Sequence, residues 1–141
     1  RYVDQESVRF INYYLEKKVH SKKFKGMDDY IETLFEWAKQ FPHHSQFYLF
    51  FYYHSSVHEK YAALNEQYIN LMKKRMNALL LTSQERKIYP VIKKLHKLVE
   101  EIHAHVYGNL VLCAIDPRAD SLKHYEKVSS RGVNNLIKHY S

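Results

Sequence analysis

A single cysteine, three glycines and three prolines in 141 residues narrow the possibilities at once. One cysteine forms no internal disulfide, so a core must hold the fold, and a reducing, cytoplasmic setting is expected. Cys113 lies in the apolar run Leu110-Val111-Leu112-Cys113-Ala114-Ile115, where it reads as buried filler rather than a nucleophile. So few Gly and Pro leave few turns, which favours a handful of long helices over many short strands. No apolar run approaches the about 20 residues that a bilayer-spanning helix needs, and no signal-peptide pattern is visible. A Gly-x-Ser-x-Gly elbow, a Gly-rich phosphate loop and a dinucleotide fingerprint are all missing. No catalytic residue and no cofactor are assigned, and an enzyme is not expected. The chain opens on Arg1, which marks it as an expected fragment or processed product.

What the chain has is apolar surface. Hydrophobic residues make up 45% and aromatics 15%, enough for a core. The net charge of +7 comes from 22 basic against 15 acidic residues. The basic residues are scattered, which suits solvated helix faces better than one phosphate-binding surface.

Seven uncharged residues, Phe47-Tyr48-Leu49-Phe50-Phe51-Tyr52-Tyr53, run together near the middle. A segment apolar all the way round is expected to be buried on more than one side. With Pro42 suited to a first helical turn, residues 43–55 read as a short central helix that others wrap, and Ser55-Ser56 as its break. Before it, residues 2–19 carry Val3, Phe10, Tyr14 and Leu15 on one stripe, acidic early and basic late as a helix dipole prefers. Asp28 or Asp29 caps a helix over 28–41, with Ile31, Leu34, Phe35, Ala38 and Phe41 inward.

Residues 57–81 repeat Val57, Tyr61, Leu64, Tyr68, Leu71, Met72, Met76 and Leu79 at spacings of three and four. Lys73, Lys74 and Arg75 include solvent-facing positions. Thr82-Ser83-Gln84-Glu85 spells a capping box, so a fifth helix is placed over 84–115, with Pro90 in its first turns or at a kink. Its seam is Ile92, Leu95, Val99, Ile102, Val106, Leu110 and Cys113. Gly108 falls inside it, at a cost of about 1 kcal/mol relative to Ala, a cost that close approach of another backbone would justify. Asp116-Pro117 stops this helix and starts the last, 118–139. The expected architecture is one all-α domain of six helices. The last two either seal one another or pair with a second copy across a two-fold axis.

Ten histidines invite a metal reading. His54 and His58 share a helical face, and Glu100 and His103 have the Glu-x-x-His spacing of di-iron bundles. That cofactor needs two such motifs and two further inward Glu, and only one motif is present. No metal ligands are assigned. The abundance of Tyr on inward stripes is more informative, because a buried Tyr needs a partner for its hydroxyl. Such a set suits a mostly apolar cavity with a few polar groups, with an aromatic solid core as the alternative.

The order of these elements resembles the C-terminal ligand-binding and dimerisation domain of TetR-family transcriptional regulators. Arg1-Tyr2-Val3-Asp4-Gln5 looks like the start of that domain's connecting helix. Residues 28–42, Asp28-Asp29-Tyr30-Ile31 through Gln40-Phe41-Pro42, are similar to the helix that follows. The helix ending at His54-Ser55-Ser56, the long one after it and the Gly108-bearing fifth keep the family's order. The resemblance implies a cytoplasmic bacterial homodimer, a repressor that senses a small, largely apolar or aromatic effector. Operator DNA would be bound only through an N-terminal helix-turn-helix that this chain lacks. It implies a four-helix bundle formed by the last two helices of two copies, through Ile102, Val106, Gly108, Leu110, Val133, Leu136 and Ile137. Effector contacts would come from Phe10, Tyr14, Trp37, Phe50, Tyr53, His54, Met72, Met76, His103 and Tyr107. The rival readings are an iron- or zinc-binding helical bundle, and a basic helical adaptor that binds nucleic acid or protein directly.

Overall fold

Six helices account for nearly the whole computed structural model: α1 Tyr2–His20, α2 Met27–Gln40, α3 Pro42–Val57, α4 Glu59–Glu85, α5 Leu95–Ile115 and α6 Ser121–His139. It describes the backbone of residues 2–141 and the side chains of 8–47, 49–51 and 53–141. The placement inferred for the Val3 side chain, and the acidic start of the first helix, therefore lie outside the described residues. The fold is all-α, a single domain, with no strand among the described residues. None of the helices is long and apolar enough to cross a membrane.

The centre of the molecule is α2. Met27, Tyr30, Ile31, Leu34, Phe35 and Trp37 are all buried, and the helix packs against α1, α3, α4 and α6. Apolar residues at spacings of three, one and three make a stripe wide enough to meet neighbours on several sides. Its start is set by Gly26, at φ 67°, with the Met27 amide donating to the Tyr89 hydroxyl at 2.8 Å. A Cβ on Gly26 would sit 2.6 Å from that same oxygen, so both the positive φ and the crowding require glycine. Asp29 does not cap the helix from its first position. Its carboxylate instead reaches back to accept the Lys25 amide at 2.7 Å. Asp28 ties α2 to α6, accepting from Ser130 and, at 3.1 Å, from Asn134.

The aromatic segment is helical, but it is not the enclosed rod expected of it. α3 packs against α2 and α4, and a helix with neighbours on part of its circumference leaves the rest to water. Phe51 turns inward to Tyr61 and Tyr68, whereas Phe50 is 61% and Tyr53 65% exposed. Phe47, Val57 and, on α4, Leu64 are exposed too. Phe50→Ser is accordingly expected to change the unfolding free energy by less than about 0.5 kcal/mol in chemical denaturation. The helix passes through Ser55-Ser56, where Ser55 Oγ donates to the Phe51 carbonyl at 2.8 Å, and breaks at His58, in extended conformation.

The capping-box sequence ends a helix here rather than starting one. Ser83 Oγ donates to Leu79 O within α4, and the chain leaves through Lys87 at φ 60°. The Ile88 amide donates to Ser83 O at 2.8 Å and that of Lys87 to Gln84 O at 3.0 Å, a Schellman closure in which lysine takes the place usual for glycine. Gln84 Oε1 then accepts the Ile92 amide. A connector holding Pro90 separates α4 from α5, so the long helix expected over 84–115 is shorter. Asp116 likewise does not cap α6. It closes α5 and engages Arg118 at 2.6 Å, and α6 starts at Ser121.

Candidate ligand cavity

α5 and α6 pair along their length and form the base of the domain. The His105 ring of α5 lies against α6 where Gly132 has no side chain. A Cβ there would meet His105 Nε2 at 2.0 Å, and that nitrogen lies 3.3 Å from both Val128 O and Asn109 Nδ2. Gly108, by contrast, has nothing within 4 Å of where its Cβ would be. The glycine that permits close packing inside the chain is therefore Gly132. Five residues placed at a dimer seam from the sequence, Ile102, Val106, Leu110, Val133 and Ile137, are buried in this chain's own core. Gly108 is exposed and Leu136 half-buried.

Above this base the helices leave a cavity of about 210 Å³. Spacing explains which residues reach it. α2 offers Leu34, Trp37 and Ala38, and α3 offers Pro42, Ser45, Gln46 and Leu49, each set along one helical face. Met72 and Arg75 come from α4, three residues apart; Tyr107, Leu110, Cys113 and Ala114 come from α5. Val8 and Ile11 of α1 and Ser121 and Leu122 of α6 complete the wall. Among the described residues the lining is apolar apart from a few hydroxyl, amide and thiol groups, and Arg75 is the only charged side chain. An apolar cavity of about 150 Å³ holds benzene, so this one suits a single ring or a short chain rather than a large ligand.

Of the ten residues assigned to effector contact, Trp37, Met72 and Tyr107 line this space. Phe10 and Tyr14 stack beside it with ring centroids 4.4 Å apart, Phe10 also meeting Phe41 edge-on at 5.2 Å. Met76 is fully buried, one turn beyond Met72. His103 packs its ring on Tyr107, centroids 4.5 Å apart. Phe50, Tyr53 and His54 do not line it: Phe50 and Tyr53 are exposed further along α3, and His54 lies against Phe50 and stacks on His58. Ala38 and Leu110 lay on stripes already visible in the sequence, and Leu49 in the uncharged run. Arg75 did not, because a charged residue on an amphipathic helix reads as solvent-facing.

Tyr107 Oη donates to Met72 Sδ at 3.0 Å, a weak acceptor. The Tyr30 hydroxyl is fully buried; burial pushes its pKa up, partly offset by the positive charge of Arg75 and by a hydrogen bond with Tyr107. Burial likewise raises the Cys113 thiol, which leaves it a poor nucleophile at neutral pH. Among the described residues, no three His, Cys, Asp or Glu side chains come together as a metal site.

His103 has a buried Nδ1 without a partner. Burial, with the nearby charge of Lys73, lowers its pKa to about 4. Between about pH 6.5 and 4 the unfolded chain binds a proton on this imidazole that the folded chain refuses, so stability falls as pH falls through that window. The predicted loss is on the order of 2 kcal/mol, discounted for the partial exposure of the ring. His103→Phe should remove that part of the acid limb when denaturation is followed from pH 7 to 4. An unchanged limb would place the sensitivity elsewhere.

No family model, no curated protein and no solved structure matches this chain.

Proposed function

We propose that this chain is the effector-binding and dimerising domain of a TetR-like transcriptional regulator, a repressor that senses a small, largely apolar molecule. The observation that carries the reading is the apolar cavity walled by residues from all six helices. A packed core leaves few voids larger than a water molecule, so space on this scale among Trp37, Leu34, Leu110 and Met72 suits a ligand. A molecule held there touches both the outer helices and the α5–α6 base, and a change at one is felt at the other.

The same base supplies the dimer seam, on its outer side. Ala104, Gly108, Leu112 and Ile115 form an uncharged outward stripe on α5, with Val111 beside it and Leu136 of α6 at its edge. Ile115 is 72% exposed, and residues this apolar on one contiguous face favour a second copy. An effector that fits one dimer geometry better than another then shifts the population between them. In regulators of this type that bias sets the spacing of the DNA-reading heads.

Thermal unfolding with small apolar compounds tests the cavity. A ligand at about 100 times its Kd stabilises the folded state by about 2.7 kcal/mol, a shift of roughly 10 °C for a chain of this length. Ala38→Leu, which fills the space, should abolish that shift while leaving the chain folded. Stabilisation undiminished in the filled variant would overturn the assignment of the site.

A further inference from the structure

Arg75 is out of place in an apolar wall unless something meets its charge. Its Nη2 donates to Asn12 Oδ1 at 2.8 Å and its Nη1 approaches Met72 Sδ at 3.8 Å. Both acceptors are neutral, and the sulfur is a weak one. A guanidinium has five N–H donors, and among the described residues no carboxylate pairs with this one. Among the described residues, no Asp or Glu lines the cavity. Met72 Sδ lies near both Nη1 of Arg75 and, at 3.0 Å, the Tyr107 hydroxyl. That shared neighbour sets the guanidinium beside Tyr107, on the wall where α4 meets α5. Around Leu34, Trp37 and Leu110 the lining offers mainly apolar surface to the remainder of a ligand.

We infer that the cavity takes a small monocarboxylic acid with an apolar body, its carboxylate on Arg75 and its ring or chain against Trp37, Leu34 and Leu110. The inference rests on the cavity being the effector site and adds the chemical class of the effector. A partly desolvated guanidinium without a counter-charge is costly, and a carboxylate accepts two parallel N–H bonds from it. The volume limits the body to about the size of a phenyl group or a short chain. An alcohol of the same shape would fill the apolar part and leave the charge unmet, and an amine would oppose it.

Calorimetric titration with two matched series tests this: phenylacetate, 2-phenylethanol and phenethylamine, then hexanoate, 1-hexanol and hexylamine. The acid of each series is expected to bind at least about tenfold more tightly than its alcohol, and the amine more weakly than either. In Arg75→Gln the acid should lose that advantage, while the alcohol binds as before; Arg75→Lys should keep part of it. Alcohols that match or exceed their acids would overturn the carboxylate assignment and leave the cavity standing as an apolar site. An acid preference that survives in Arg75→Gln would remove Arg75 from the role. Failure of all six compounds to bind would overturn both the inference and the cavity as an effector site. The wild-type comparison of acid with alcohol decides the matter even if Arg75→Gln does not fold.

Discussion

Ile102→Ala is expected to cost the folded chain about 3 kcal/mol, within the range of about 2–5 found for large aliphatic side chains cut to alanine in a core. Ile102 is 0% exposed and belongs to the cluster that joins α5 to α2, α4 and α6. Its side chain touches only its own subunit, so the urea midpoint should fall by roughly 1–2 M, and by the same amount at low and high protein concentration. Association measured under native conditions should be unchanged. A loss that grows on dilution would instead place Ile102 at a contact between copies.

Gly108→Leu should act in two opposite directions. The position is exposed, and nothing stands within 4 Å of the missing Cβ. Inside the subunit, replacing a mid-helix glycine removes a helix penalty of close to 1 kcal/mol, so the separated subunit should melt a few degrees higher. On the outer stripe of α5 the same side chain holds a second copy away, and the dimer dissociation constant should rise at least about tenfold. Sedimentation equilibrium and thermal melting of one preparation read both effects. A dimer that is unchanged would show that the seam lies elsewhere, and a lower melting point would show that the space around Gly108 is filled within the chain.

The helical elements were legible because three-and-four spacing and the scarcity of Gly and Pro are local properties. Faces were harder to assign. The Phe47–Tyr53 run announced burial by composition, but burial depends on how many neighbours a helix has, and α3 lacks cover on its Phe50 and Tyr53 side. α2, with a less conspicuous sequence, took the centre because its apolar positions fan over several sides. The α5 seam was read correctly as apolar, yet the same spacing fits contact within a hairpin and contact between copies. What separates them is exposure, which belongs to the fold. Turn signals misled where two principles competed. Thr82-Ser83-Gln84-Glu85 has the composition of a helix start, but Lys87 in the left-handed region and the bonds to Ser83 O and Gln84 O make it an end. Trp37, Met72 and Tyr107 were found at the cavity because aromatic and sulfur-bearing residues on inward stripes are its usual lining. Arg75 was missed because charge on a helix ordinarily signals water.

The account depends on the space between the helices being a ligand site. Trp37 is the only tryptophan in the chain and lines that space, so its emission during titration with phenylacetate and 2-phenylethanol reads occupancy directly. A saturable change is predicted in the wild-type chain and none in Ala38→Leu. Emission that stays flat with both compounds, or that saturates equally in the filled variant, would contradict it.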